Sequence, residues 1–182
     1  TVGDNTARAS GVIASAGGGT MLSAKSMKLE STTSRTGTAP AHISAFDMSF
    51  AATKSDSKLY FQVCIGEIGV STDVCNTAFY FYDVTNSAIV GAYGDAAGSR
   101  LRVSWGTNID HYHRQTNSNF GTWHEPGTTS SIDYTIYGAA TGSQTMYINR
   151  SGWDADTSSI EDYRGASTFT ITEYAADTVT LT

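Results

Sequence analysis

The sequence predicts an all-β fold: an antiparallel jelly-roll β-sandwich preceded by an extended N-terminal arm. Three observations carry that reading. Val and Ile together number 20, against 5 Leu and 5 Glu, a balance that favours sheet over helix. Apolar residues recur with a period of two in run after run, the pattern of half-buried antiparallel strands. Turn-forming residues separate these runs at short intervals. Eight or more short strands in roughly 160 residues make a sandwich or barrel of jelly-roll type.

Taken in order, residues 1–20 are small and polar and run into Gly17-Gly18-Gly19. Such a stretch buries no core and reads as an arm or linker, leaving 21–182 as the jelly-roll domain. Met21 to Glu30 is the first strand-like run. His42 to Phe50 alternates, with Phe46, Met48 and Phe50 on one face. Leu59, Phe61, Val63 and Ile65 alternate with Tyr60, Gln62 and Cys64. Ala78 to Val84 places Phe79 and Phe81 on one side and Tyr80 and Tyr82 on the other. Arg100 to Trp105 aligns Leu101, Val103 and Trp105 as a strand face. Ile132, Tyr134 and Ile136 share a face, as do Met146 with Ile148 and Phe169 with Ile171. Turn chemistry occupies Gly37 to Pro40, Thr85-Asn86-Ser87, Gly94 to Ser99, Thr107-Asn108, Glu125 to Thr129 and Gly142-Ser143. Residues 154–165 hold one short helical turn at most.

Composition excludes several classes of protein. Thr (26), Ser (22) and Gly (18) make over a third of the 182 residues, and 15% are charged. That is neither a helical bundle nor a doubly wound α/β enzyme, and the length fits one domain. No run of 18 apolar residues exists, so no membrane span is expected. A net charge of −6 and a pI near 5.0 argue against a nucleic-acid partner, which needs clustered Lys and Arg. No basic segment precedes an apolar one at the N-terminus, so no secretory signal is present in the sequence as it stands. Opening at Thr1 is what removal of an initiator Met leaves. The expectation is a complete chain made in the cytoplasm, although a processed or cloned fragment would look the same. Cys64 and Cys75 fit no zinc spacing and are expected as free thiols rather than as a hairpin disulfide. Tyr80, Tyr82, Tyr137 and Tyr147 fall on or near the non-core face with little charge around them, which points to cover by another subunit.

Several stretches resemble the distal jelly-roll domains of bacteriophage fibre and virion-surface proteins. They are Gly94-Asp95-Ala96-Ala97-Gly98-Ser99-Arg100, Gly127 to Ile136, Thr145-Met146-Tyr147-Ile148-Asn149-Arg150-Ser151 and Arg164 to Glu173, with Gly17 to Leu22 similar to the preceding linker and first strand. The resemblance spans about residues 17–175 and consists of packing and turn motifs. It implies a trimeric, C1q- or TNF-like jelly roll on the virion surface, made in the host bacterial cytoplasm. It also implies that Asn149, Arg150 and Arg164 anchor loops, with Asp154 and Asp156 pairing with Arg or capping the loop. A Ca²⁺ site there would be short of oxygen ligands. With only some 20 residues ahead of the first strand, a capsid decoration (cement) protein or short fibre is favoured over a long tail-fibre tip. The partners implied are two further copies of the chain, the major capsid protein and a host surface glycan.

Among candidate chemical sites, His111-Tyr112-His113 stands out, because on a strand an HxH pair points both imidazoles to one side. The acid that follows such a pair in a cupin enzyme is missing, since Glu125 is the first. At a three-fold axis His111 and His113 of each chain would offer six imidazoles to a metal. The remaining reading is a pair of surface histidines. His124-Glu125 is no dyad, since strand neighbours face opposite ways. No nucleophile elbow, phosphate loop or carboxylate pair stands out, so neither catalytic residues nor a cofactor are expected. Trp105 reads as core. Trp123 and Trp153, flanked by polar loops, are the candidates to stack on a sugar. The expected function is a non-enzymatic virion structural protein. The alternatives are a receptor-binding fibre tip, a glycan-binding β-sandwich module and a metal-dependent cupin-like enzyme.

Overall fold

The computed structural model describes residues 20–158, 160–178 and 180–181, so the arm expected over 1–20 lies, apart from Thr20, outside the described residues. Eleven strands follow in chain order: β1 (Met21–Leu29), β2 (Thr33–Thr36), β3 (Ala41–Phe50), β4 (Lys58–Val70), β5 (Cys75–Asp83), β6 (Ala88–Val90), β7 (Trp105–Ile109), β8 (Thr116–His124), β9 (Ile132–Ala140), β10 (Thr145–Ile148) and β11 (Ser167–Tyr174). One sheet runs β1-β11-β4, with β8 on the far edge of β4. The other runs β3-β9-β5, with β6 and β7 sharing the far edge of β5. Leave out the short β2, β6 and β10 and number the rest one to eight. The sheets then read 1-8-3-6 and 2-7-4-5, the double Greek-key order of a jelly roll. Among the described residues no helix is long and apolar enough to cross a membrane.

The period-two runs bury their apolar faces between the sheets. Phe61, Phe79, Phe81, Tyr134 and Phe169 have at most 1% of their surface exposed. The rings form one network. Phe61 meets Tyr134 edge-on at 4.9 Å and Phe81 at 5.4 Å, and Trp105 stacks on Phe120 at 4.9 Å. Each such side chain contributes about 1.5–3 kcal/mol by leaving water.

Two sequence expectations need correction, the strand over Arg100 to Trp105 and the turn at Thr107-Asn108. Arg100 to Ser104 is not a strand. Gly94 and Val103 bond backbone to backbone at 3.1 Å and the Arg102 guanidinium donates to the Gly94 carbonyl, so this segment folds back on its own loop and leaves Leu101 exposed. Only Trp105 joins the core, and the strand runs on through Thr107-Asn108, which pair with Thr77 and Asn76 rather than turning. β8 carries no apolar alternation. Its inward positions include the small polar Ser118 and Thr122, packed beside the long apolar face of β4. The outward tyrosines contact one another. Tyr80 stacks on Tyr137 at 5.5 Å and meets Tyr93 and Tyr82, so it is already 9% exposed within one chain. Both cysteines are free, Cys64 exposed and Cys75 buried.

β4 positions everything that follows. Its first half pairs with β11 and its last three residues pair with β10 on the same edge. Between them the register with β8 shifts across Gly66-Glu67. The bulge turns Glu67 inward under the segment joining β10 to β11.

Candidate functional site

The β10–β11 segment is held by Asn149. Fully buried, its side-chain amide donates to the Leu29 carbonyl at 2.8 Å and to the Ser31 carbonyl at 3.0 Å. Its Oδ1 accepts from Ser167 at 2.6 Å. Asn149 takes a left-handed backbone (φ 64), which Asn tolerates better than most residues. Arg150 lies over the Tyr147 ring at 3.6 Å and reaches Asp154 at 3.1 Å, and Arg164 pairs with the same carboxylate. The anchoring roles expected for Asn149, Arg150, Arg164 and Asp154 are therefore present.

Gly152 brings this segment onto its neighbours. A side chain there would collide with the Val70 carbonyl and crowd the Tyr112 carbonyl at 2.8 Å. That approach sets Trp153 against the β7–β8 turn. The Trp153 ring lies 4.2 Å from the ring of His113 and stacks on Tyr112 at 5.8 Å. His111 stacks on Tyr112 at 4.8 Å and on His113 at 5.1 Å. Trp153 remains 51% exposed. The cluster is bordered by Asp73, whose Oδ1 accepts the Tyr112 amide at 3.3 Å and lies 3.7 Å from His111 Nε2. An Asp110–Arg114 ion pair closes the other side.

The structure thus joins two candidates that sequence reasoning kept apart, His111/His113 and Trp153. It also moves the histidines from a strand to a turn. The His113 amide donates to His111 Nδ1 at 3.2 Å, and the Arg114 amide donates to the His111 carbonyl at 2.9 Å. These local bonds take backbone groups that a ladder would otherwise use. Among the described residues no three His, Cys, Asp or Glu side chains are grouped to hold a metal. Trp123 lies elsewhere, at the opposite end of β4, half-buried between Tyr60 at 4.9 Å and Tyr174 at 5.4 Å.

Two features escaped the sequence reading. Glu67 is fully buried and, among the described residues, neither carboxyl oxygen has a hydrogen-bond partner. Burial pushes its carboxyl up to about 7. The Gly165 backbone and Arg164 oppose that rise, and the Asp162 and Asp154 carboxylates reinforce it. Asp162 accepts from Ser151 through one oxygen, and its other oxygen is buried without a partner among the described residues. Glu173 is equally buried but fully satisfied, by Ser23, Ser57 and both the amide and hydroxyl of Thr53. Its burial alone would raise its carboxyl, yet those bonds outweigh it and hold it below the ordinary value. A lone Glu inside an apolar strand run was the signal for Glu67. Nothing in the sequence marked its lack of partners.

No protein-family model and no curated protein matches the chain. Solved structures similar to it include that of the infectious bursal disease virus Gx strain. The match has 12% identity over 85% of this chain and 41% of the other, with a TM-score of 0.38. The crystal structure of the VP2 subviral particle of the same virus matches at 10% identity over 85% and 42%, with a TM-score of 0.27. The chain spans about two fifths of the length of each, and likenesses of this grade assign it to no family.

Proposed function

We propose that the chain is a structural protein of a bacteriophage particle, a homotrimeric jelly roll on the virion surface that decorates and stabilises the capsid or forms a short fibre. The observation that carries this reading is how the family-like segments are used. Thr145 to Ser151 and Arg164 to Glu173 supply β10, β11 and the buried Asn149 anchor between them, all within the 1-8-3-6 and 2-7-4-5 strand order. Their residues hold loops in place.

The outer face of the β1-β11-β4-β8 sheet adds support. Gln62, Cys64, Asn119, Thr168 and Thr170 form a neutral polar stretch there, with Lys28 beside Thr168 at its β1 margin. A neutral polar face loses little on contact with another copy, whereas burying unpaired charge is costly. On the opposite sheet Tyr80 is covered by its neighbours, while Tyr82 and Tyr137 remain partly exposed.

Native mass spectrometry of the full chain tests the assembly. The expected species is three copies of the 19.3 kDa chain, and a monomer at micromolar concentration overturns the trimer. Particles with and without the protein test the role. Weaker heads on its loss indicate decoration, failed adsorption indicates a fibre, and particles unchanged in both respects overturn the reading.

A further inference from the structure

We infer that the ring cluster of His111, Tyr112, His113 and Trp153, bordered by Asp73, is a binding site for a neutral pyranose sugar. The inference is read from the loop geometry and stands apart from the virion reading.

The first argument is construction. Four rings from two separate loops are stacked on one another at the end of the sandwich instead of in the core, and Trp153 keeps half its surface in solvent. Stacking fixes the indole orientation before any ligand arrives, so little side-chain entropy remains to be lost on binding. The Gly152 approach to Val70 and Tyr112 holds the two loops together.

The second argument is the match of chemistry. A pyranose has an apolar C–H face and a rim of hydroxyls. Trp153 offers the flat apolar partner. Asp73 places a carboxylate at the His111–Tyr112 side of the cluster, 3.7 Å from His111 Nε2, so acceptor and donor sit together at that edge of the rings. Asp110 pairs with Arg114, and Arg150 and Arg164 both pair with Asp154, next in chain to Trp153, while the exposed Val74 follows Asp73.

The third argument is charge. Asp73 and the net charge of −6 repel anions, and both arginines nearest the cluster are already paired, so acidic sugars are disfavoured.

Tryptophan emission of the full chain, titrated with methyl glycosides of neutral hexoses and N-acetylhexosamines and with glucuronate, tests the site. The expected result is a saturable change with at least one neutral glycoside. Trp153→Ala or His113→Ala should abolish it, Asp73→Asn should weaken it about tenfold, and Trp123→Ala should leave it intact, all with unchanged circular dichroism. Three results overturn the inference: no saturable response to any neutral glycoside, a response that survives in folded Trp153→Ala, or glucuronate bound as tightly. Because trimer formation is read separately by native mass spectrometry, failure here and failure of the virion reading are distinguishable.

Discussion

Gly152 packs on Val70 so closely that a methyl group at its α-carbon would stand 1.8 Å from the Val70 carbonyl oxygen. Backbone meets backbone there, so no side-chain rotation can relieve the clash. Gly152→Ala is expected to destabilise the fold by about 1–3 kcal/mol, as overpacking does, and to shift Trp153 away from His113. Urea denaturation measures the first effect. The emission of Trp153 in a Trp105→Phe, Trp123→Phe background measures the second.

Glu67 makes stability fall as pH rises from about 4.5 through 7. Its folded carboxyl titrates near 7, above the ordinary 4.5, so the folded chain binds the proton more tightly than the unfolded one. No cost exists below pH 4.5, and the cost grows as pH rises through 7. Glu67→Gln removes the charge. It is expected to raise unfolding free energy by about 2 kcal/mol at pH 9 and to change it little at pH 5. Equal effects at both pH values would contradict the assignment.

Glu173 acts in the opposite sense. Its carboxyl is held below its ordinary value by the hydroxyls of Ser23, Ser57 and Thr53 and by the Thr53 amide. Its contribution is therefore complete above about pH 4.5 and disappears as pH falls through the lowered value. Ser57→Ala removes one bond from a buried carboxylate and is expected to cost about 1–3 kcal/mol at neutral pH. It should also move the acid-unfolding midpoint upward, because the carboxyl then protonates more readily. Acid titration followed by circular dichroism checks both effects.

Asn149 combines a left-handed backbone with three side-chain hydrogen bonds, and two substitutions separate them. Asn149→Gly keeps the backbone and deletes the bonds, leaving the Leu29 and Ser31 carbonyls short of donors, at an expected cost of about 2–4 kcal/mol. Asn149→Ala deletes the same bonds and adds backbone strain of about 1 kcal/mol. Thermal unfolding of the two variants should rank them in that order. Asn149→Asp should fall below both, since it places a charge where Asn149 donated to two carbonyls.

The sandwich was legible where side chains alternate between oil and water. β9 shows it most plainly: Ile132, Tyr134 and Ile136 point inward in the chain and in the fold alike. β8 was not legible, because Ser118 and Thr122 take inward places beside β4, whose Leu59, Phe61, Val63 and Ile65 supply the apolar surface. Arg100 to Ser104 misled for the converse reason: an alternating run can be held in a loop by backbone bonds to Gly94 that no periodicity reveals. Trp153 and the histidines were each visible as candidates, but not as one cluster.

The anchoring role of Asn149, Arg150 and Arg164 came only from the family resemblance. By itself, the sequence determined the all-β class, most of the strands and the buried aromatic faces. Those follow from local alternation and from residue types whose preferences act over a few positions. Only the tertiary structure decided that Trp153 meets His113, that Glu67 lacks a partner among the described residues while Glu173 is fully bonded, and that Tyr80 is buried among the outer tyrosines. Each of these depends on which distant segments share a sheet edge or cross at a glycine. Such contacts arise when the chain closes its core, and no short stretch of sequence contains both of their halves.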